Sequence, residues 1–211
     1  MRYDRWAYIY PPRPRTAIPF EETERYAGGG WLAQLKLDGT RTLVAVSPDG
    51  DVSFWNRHRE RHRAWDPPPP LVQAVRSRFA GGSWCVLDGE LLHSRHPSVK
   101  DTVYLFGALV ADGEYLVGRS HFSAYGWLES RCPRTHADAG FGRFVSDLGD
   151  GLWLAKMIRS AGWADAFALD HPLCEGLVLK RPAAKLEFGR SKENNGSWMI
   201  RCRKATKNYR F

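Results

Sequence analysis

Short apolar runs punctuated by glycine, proline, aspartate and asparagine dominate this chain, and sustained helical periodicity is scarce. In the first such run Trp31, Ala33, Leu35 and Leu37 alternate with Leu32, Gln34, Lys36 and Asp38. A strand there directs Gln34, Lys36 and Asp38 to one face, and Gly39 permits a sharp reversal immediately afterwards. Strands over 42–46 and 52–55 flank the turn sequence Pro48-Asp49-Gly50-Asp51 and predict an antiparallel hairpin. Prolines 67–70 are excluded from a sheet interior but can open a helix, which the apolar spacing extends over 71–79 until Gly81-Gly82 ends it. Residues 84–92 read as a strand, and 103–110 pairs with 115–117 across Ala111-Asp112-Gly113-Glu114 as a second hairpin. Helices are expected over 122–131 and 151–161, the latter from Leu152, Ala155 and Ile158, and strands over 177–179 and 197–202. The pattern predicts an α+β fold in which antiparallel sheets dominate, with flanking helices and no internal repeat.

Composition narrows the class. With 211 residues and 43% hydrophobic content the chain can bury a core of its own, and a single domain over 1–211 is expected. A net charge of +8 favours a polyanionic partner, because clustered Lys and Arg release counterions from phosphates. No apolar run approaches the roughly 20 residues that cross a bilayer, and Arg2, Asp4 and Arg5 leave the N-terminus without a signal-peptide core. A cytoplasmic protein with no membrane partner is the expectation. Cys85, Cys132, Cys174 and Cys202 form no Cys-x-x-Cys pair and read as reduced thiols, not metal ligands.

The most specific chemical signal is Lys36-Leu37-Asp38-Gly39-Thr40-Arg41, which sets a lysine beside an aspartate and an arginine able to bind phosphate, directly after a strand. Leu87-Asp88-Gly89-Glu90-Leu91, Leu105-Phe106-Gly107-Ala108-Leu109, Glu175-Gly176-Leu177-Val178-Leu179-Lys180 and Ile200-Arg201-Cys202-Arg203 follow it. In this order the segments resemble the motif series of the covalent nucleotidyltransferases, the superfamily of ATP-dependent DNA ligases, RNA ligases and mRNA capping enzymes, over roughly residues 31–204. The resemblance implies an ATP-grasp-like adenylation domain. It also implies that Lys36 attacks the α-phosphorus of ATP, expels pyrophosphate and becomes lysyl-AMP. That chemistry needs a neutral amine, which neighbouring cations favour; Arg41, Lys180, Arg201 and Arg203 would supply them and neutralise phosphate charge in the transition state.

The same resemblance assigns further roles. Gln34 and Asp38, beside the nucleophile, join the nucleotide-binding set. Glu90 binds the ribose, Arg41 the ribose or phosphates, and Phe106 stacks on adenine, although Gly107 stands where the family usually has aspartate. Asn56 and Arg57 resemble the Ser-Arg pair of the ligases, with Arg57 contacting phosphate. Glu175 is the carboxylate near Mg2+, which prefers oxygen ligands shared with water and phosphate. Simple alternation sends Lys180, five positions on, to the opposite face from Glu175 unless Gly176 breaks the parity. Arg201 and Arg203 replace the two lysines of the family's final segment, keeping the charge with a different shape.

The expected activity is ATP-dependent polynucleotide ligation: adenylylation of Lys36, AMP transfer to a 5′-phosphate, and attack by a 3′-hydroxyl. Residues 185–191 followed by Trp198 resemble the approach to the final motif in DNA ligases, so DNA nick sealing is favoured over RNA joining. The basic run 58–63, with Lys204, Lys207 and Arg210 beside Tyr209, offers contacts to nicked duplex or strand ends. A monomer without a C-terminal oligonucleotide-binding domain in this chain is expected. An RNA ligase, and a noncatalytic nucleic-acid or nucleotide-binding module retaining the fold, are the rival readings; Gly107, Arg201 and Arg203 favour the second.

Overall fold

Strands with apolar residues on both faces frame the molecule. The computed structural model describes residues 1–132, 140–187, 189 and 194–205. Its strands are β1 (Arg13–Ile18), β2 (Leu32–Leu37), β3 (Thr40–Val46), β4 (Val52–Asn56), β5 (Cys85–Leu92), β6 (Thr102–Ala111), β7 (Glu114–Tyr115), β8 (Val145–Asp147), β9 (Leu152–Ala155), β10 (Cys174–Lys180) and β11 (Asn195–Arg203). The helices are α1 (Glu24–Ala27), α2 (Pro69–Phe79), α3 (His121–Ser130) and α4 (Trp163–Phe167). Among the described residues the strands form a four-stranded sheet, β1-β11-β10-β2, and a seven-stranded sheet, β4-β3-β5-β6-β9-β8 with β7 on β6. Most ladders are antiparallel, but β1 runs parallel to β11 and β6 parallel to β9, so the α+β architecture contains mixed sheets.

The burial of β3 shows why its sequence is almost continuously apolar. Val44 and Val46 pack with Leu71, Ala74, Val75 and Phe79 of α2, while Leu43 and Ala45 turn to the other side, against Tyr3 and Ile9. The N-terminal segment, legible in the sequence only as a proline-rich stretch, therefore covers one face of the large sheet; Trp6 stacks on Trp55 with ring centroids 4.7 Å apart. In the small sheet Ala33, Leu35 and Leu37 of β2 join Leu177, Leu179, Ile200 and Cys202 in a core with Trp163 and Ala166 of α4. All four cysteines are buried and free.

Between β2 and β3, Asp38 and Gly39 carry the chain from the small sheet to the large one. A Cβ on Gly39 would lie 2.5 Å from the Leu91 carbonyl oxygen, so the crossing needs glycine because β5 passes so close. The prolines open α2 as expected, and α3 begins where Ser120 accepts a hydrogen bond from the Ser123 amide. The helix expected over 151–161 is not present: its first part is β9, between β6 and β8, followed by a 3-10 turn at Ser160–Gly162. All four residues of β9 are buried, and a short run that is apolar on both faces carries no period to separate strand from helix. No helix among the described residues is long and apolar enough to cross a membrane.

A bulge in β10 sets the geometry of the cleft between the sheets. Cys174 pairs with Leu37 and Gly176 with Lys36, leaving Glu175 as the extra residue. Gly176 adopts φ +132, and a Cβ there would approach the Cys202 carbonyl oxygen to 2.1 Å. The bulge breaks the strand alternation, as Gly176 allowed, and brings Glu175 and Lys180 to the same side. Gly176→Ala is expected to cost about 3 kcal/mol, the upper end of ordinary point substitutions, measured by urea denaturation.

Candidate functional site

Side chains from both sheets enclose a cavity of about 190 Å³. The small sheet contributes Arg13 and Pro14 from β1, Gln34 and Lys36 from β2, Val178 and Lys180 from β10, and Met199 and Arg201 from β11. Arg41, Glu90, Tyr104 and Phe106 come from the large sheet. The alternation that buries Ala33 and Leu35 is what points Gln34 and Lys36 into this space.

Lys36 Nζ donates to Glu175 Oε2, and Arg203 donates to the other oxygen of the same carboxylate. Lys180 Nζ donates to the Gln34 amide oxygen and, at 3.5 Å, to the Phe106 carbonyl. An ammonium offers only donors, so the Gln34 oxygen must face Lys180; its amide nitrogen has no partner among the described residues. Arg41 binds Asp88 in a fork, Nε to Oδ1 at 2.7 Å and a terminal nitrogen to Oδ2 at 2.5 Å, and also donates to the Pro12 carbonyl at 3.0 Å. The Phe106 ring lies between two cations, 5.0 Å from the Arg41 guanidinium carbon and 5.1 Å from Lys180 Nζ. Arg201 lines the cavity with its Nε unpartnered among the described residues.

Titration follows from this crowding. Burial pushes Lys180 down to about 7, with Arg41 adding to the effect and Asp88 opposing it. Removal from water pushes the Glu90 carboxyl up to about 7 against the pull of Arg41 and Lys36. Burial works against the Arg41 charge too, but Asp88, by charge and hydrogen bond, more than offsets it, and the guanidinium pKa is raised.

The structure thus gathers Gln34, Lys36, Arg41, Glu90, Phe106, Lys180 and Arg201 around one cavity, with Glu175 and Arg203 joined to Lys36 at its side. Two of the sequence candidates lie apart from it. Asp38 has already left β2 and faces Arg95 at 3.8 Å. Arg57 lines an adjoining cleft, where its Nε donates to His58 at 3.2 Å. The basic run continues on the exposed turn after β4, with Arg61 over Trp55 and Arg63 paired to Glu60. Lys204 donates to the Leu169 carbonyl, and does not line the cavity. Lys207, Tyr209 and Arg210, and residues 188, 190 and 191 of the 185–191 segment, lie outside the described residues. Sequence reasoning gave no role to Asp88, the partner of Arg41, nor to Arg13, Pro14, Tyr104 and Met199. Asp88 shares a strand face with Glu90 by parity, a usable signal, whereas β1 reaches the site through a parallel pairing with β11 that nothing local announces.

Among solved structures, the chain is similar to the ligase domain of LigD from M. tuberculosis, with a TM-score of 0.58, 18% identity, and coverage of 92% of this chain and 60% of that one. The ATP-dependent DNA ligase of bacteriophage T7, in complex with ATP, matches with a TM-score of 0.56 and 13% identity over 92% of this chain and 68% of its own. The chain has the ligase-domain fold. A mycobacterial DNA ligase D complexed with ATP shares that fold at a TM-score of 0.56 and 19% identity, over 84% of this chain. The chain spans 60% and 55% of the two ligase D structures. No family model and no curated protein matches the sequence.

Stability should record the two displaced titrations in opposite senses. Folded Glu90 keeps its proton to about pH 7, while the unfolded carboxyl loses it near 4.5, so stability falls as pH rises through that window. Folded Lys180 releases its proton at about 7 and the unfolded amine near 10.5, so stability recovers above neutrality. Glu90→Gln is expected to flatten the acid arm and Lys180→Met the alkaline arm, measured by urea denaturation across pH.

Proposed function

We propose that this chain is the adenylyltransferase unit of an ATP-dependent polynucleotide ligase, with Lys36 as the nucleophile. The observation that carries the reading is the Lys36 side chain in a cavity that also collects Arg41, Lys180 and Arg201, with Glu175 on its amine. Four positive side chains around one cavity suit a triphosphate, and Glu175 is positioned to take the amine's proton. Lys36 Nζ forms a bond to the α-phosphorus of ATP as the bond from that phosphorus to the pyrophosphate oxygen breaks. The amine, deprotonated before attack, gives up a second proton as the phosphoramidate forms. The AMP group then passes to a nucleic-acid 5′-phosphate, freeing Lys36 and making a phosphoanhydride. A 3′-hydroxyl next attacks the 5′-phosphorus, forming a phosphodiester and releasing AMP.

Phe106, held between Arg41 and Lys180, presents a ring to adenine, and Gln34 lines the same cavity with an amide nitrogen that has no partner among the described residues. Glu90 and Arg41 are assigned to the ribose and phosphates. Among the described residues no cluster of three or more metal-ligating side chains exists. Mg2+ typically needs only one or two carboxylates beside water and phosphate, and Glu175 would be the one to hold it. The ion would neutralise charge on the phosphates. Arg201 and Arg203 do part of the work of the family's lysines: one faces the cavity and the other fixes the carboxylate that meets Lys36. Likeness to DNA ligases and the resemblance around Trp198 favour DNA nicks as the substrate.

A noncatalytic nucleotide-binding module is the second reading, favoured by the arginines at 201 and 203 and by Gly107. Incubation with α-labelled ATP and magnesium separates the two. We expect acid-labile label on the wild-type chain, none on Lys36→Ala, and sealing of a nicked DNA duplex by the wild type. An unlabelled wild type would leave the binding module standing.

A further inference from the structure

Two clefts of about 650 and 330 Å³ share Met157 and Arg159 and so run together as one groove, which has no lining residue in common with the cavity of Lys36. Apolar side chains of Leu32, Met157 and Pro182 line the larger part, and Ile158 and Ala161 the smaller. The Phe122 ring, 58% exposed, lines the larger part as well.

The backbone holds this surface in place. Ala33 and Ile158 exchange hydrogen bonds at 2.9 and 2.8 Å, which fastens the segment after β9 to β2. Ile158 is buried there, so extended alternation turns Met157 and Arg159 to the groove. At the start of α3 the His121 and Phe122 amides donate to the Ala184 and Pro182 carbonyls at 2.8 and 3.0 Å, which sets Phe122 beside Pro182.

Charge follows the same line. Arg159 belongs to both clefts, Lys156 and Arg143 to the smaller, and no carboxylate among the described residues lines either. Asp165 pairs with Arg143 at 2.7 Å, which leaves Arg159 and Lys156 to give the groove its sign. A polynucleotide would meet that charge, but phosphates gain nothing from aliphatic surface, and bases need ring faces on which to stack. Those faces are occupied: the Arg181 guanidinium lies 5.2 Å from the Trp31 ring, Tyr26 meets the same ring edge to face, and Arg143 lies 5.4 Å from the Phe144 ring. What remains open is aliphatic surface and one phenyl ring between cations. Contiguous apolar surface rimmed in this way marks an interaction site, and apolar side chains set among carboxylates match it.

We infer that this groove docks an acidic segment of a partner protein, its aliphatic and aromatic side chains on Leu32, Phe122 and Met157 and its carboxylates toward Arg159 and Lys156. Such docking is independent of the ligase reading.

The three methionines report on it separately, because Met1 is 86% exposed at the N-terminus, Met157 lines the groove and Met199 lines the cavity of Lys36. The full chain, labelled with carbon-13 methyl methionine and followed by NMR, is titrated with a peptide that alternates Glu with Leu and Phe, and with the same peptide carrying Gln in place of Glu. The acidic peptide should move the Met157 resonance saturably and leave Met1 and Met199 in place, and the Gln peptide should bind roughly tenfold more weakly. Arg159→Glu and Phe122→Ser should each weaken the acidic peptide by about tenfold. Both side chains are exposed, and the comparison of the two peptides needs no variant. A Met157 resonance that stays still, or a Gln peptide that binds as well as the acidic one, would overturn the inference. So would a single-stranded oligonucleotide that moves Met157 at lower concentration than the acidic peptide, which would give the groove to nucleic acid. ATP forms a separate arm: it should move Met199 alone, and its failure to do so would count against the ligase reading while leaving the groove as it stands.

Discussion

The fork between Arg41 and Asp88 holds together parts of the chain that have little else in common. It bridges β3 and β5, reaches the carbonyl of Pro12 in the N-terminal segment, and sets a guanidinium face over Phe106 on β6. A charge this deep is tolerated because a carboxylate meets it through two hydrogen bonds. Such pairs often add little net stability compared with apolar packing, and breaking one by removing a single partner costs several kcal/mol. What the pair provides is direction: it fixes a cation at the wall between two clefts, where packing alone would leave a hydrophobic side chain.

Around that fixed charge the molecule accepts electrostatic conditions that a folding optimum would avoid. Burial withdraws both Lys180 and Glu90 from water. Both are displaced toward neutrality, in opposite directions, and groups displaced in this way concentrate where chemistry is done. The Lys36, Glu175 and Arg203 chain adds a third set of opposed charges at the same cleft.

The sequence made half of this visible. The alternation around Lys36 placed Gln34 and Lys36 on one face, and the structure has them there because Ala33 and Leu35 are held in the core. Asp38 fails the same rule for a local reason: the strand ends at Leu37, and the chain turns toward the other sheet. The relation of Glu175 to Lys180 depended on a bulge whose sequence mark is one glycine. The stretch 151–161 lost its helix because burial on both faces erases periodicity. Least legible was the N-terminal segment, whose partners are strands distant in sequence, and with it the pairing of Arg41 to Pro12.

The parallel pairing of β1 with β11 has a bearing on how the molecule is made. β1 emerges early in synthesis, yet among the described residues its sheet neighbour is β11, far along the chain, so until then its backbone groups must be satisfied by water or by something else. The same late strand carries Arg201 and Arg203. Maturation of the cleft therefore waits for β11, and a nascent molecule halted before it would expose an unpartnered strand while lacking Arg201 and Arg203.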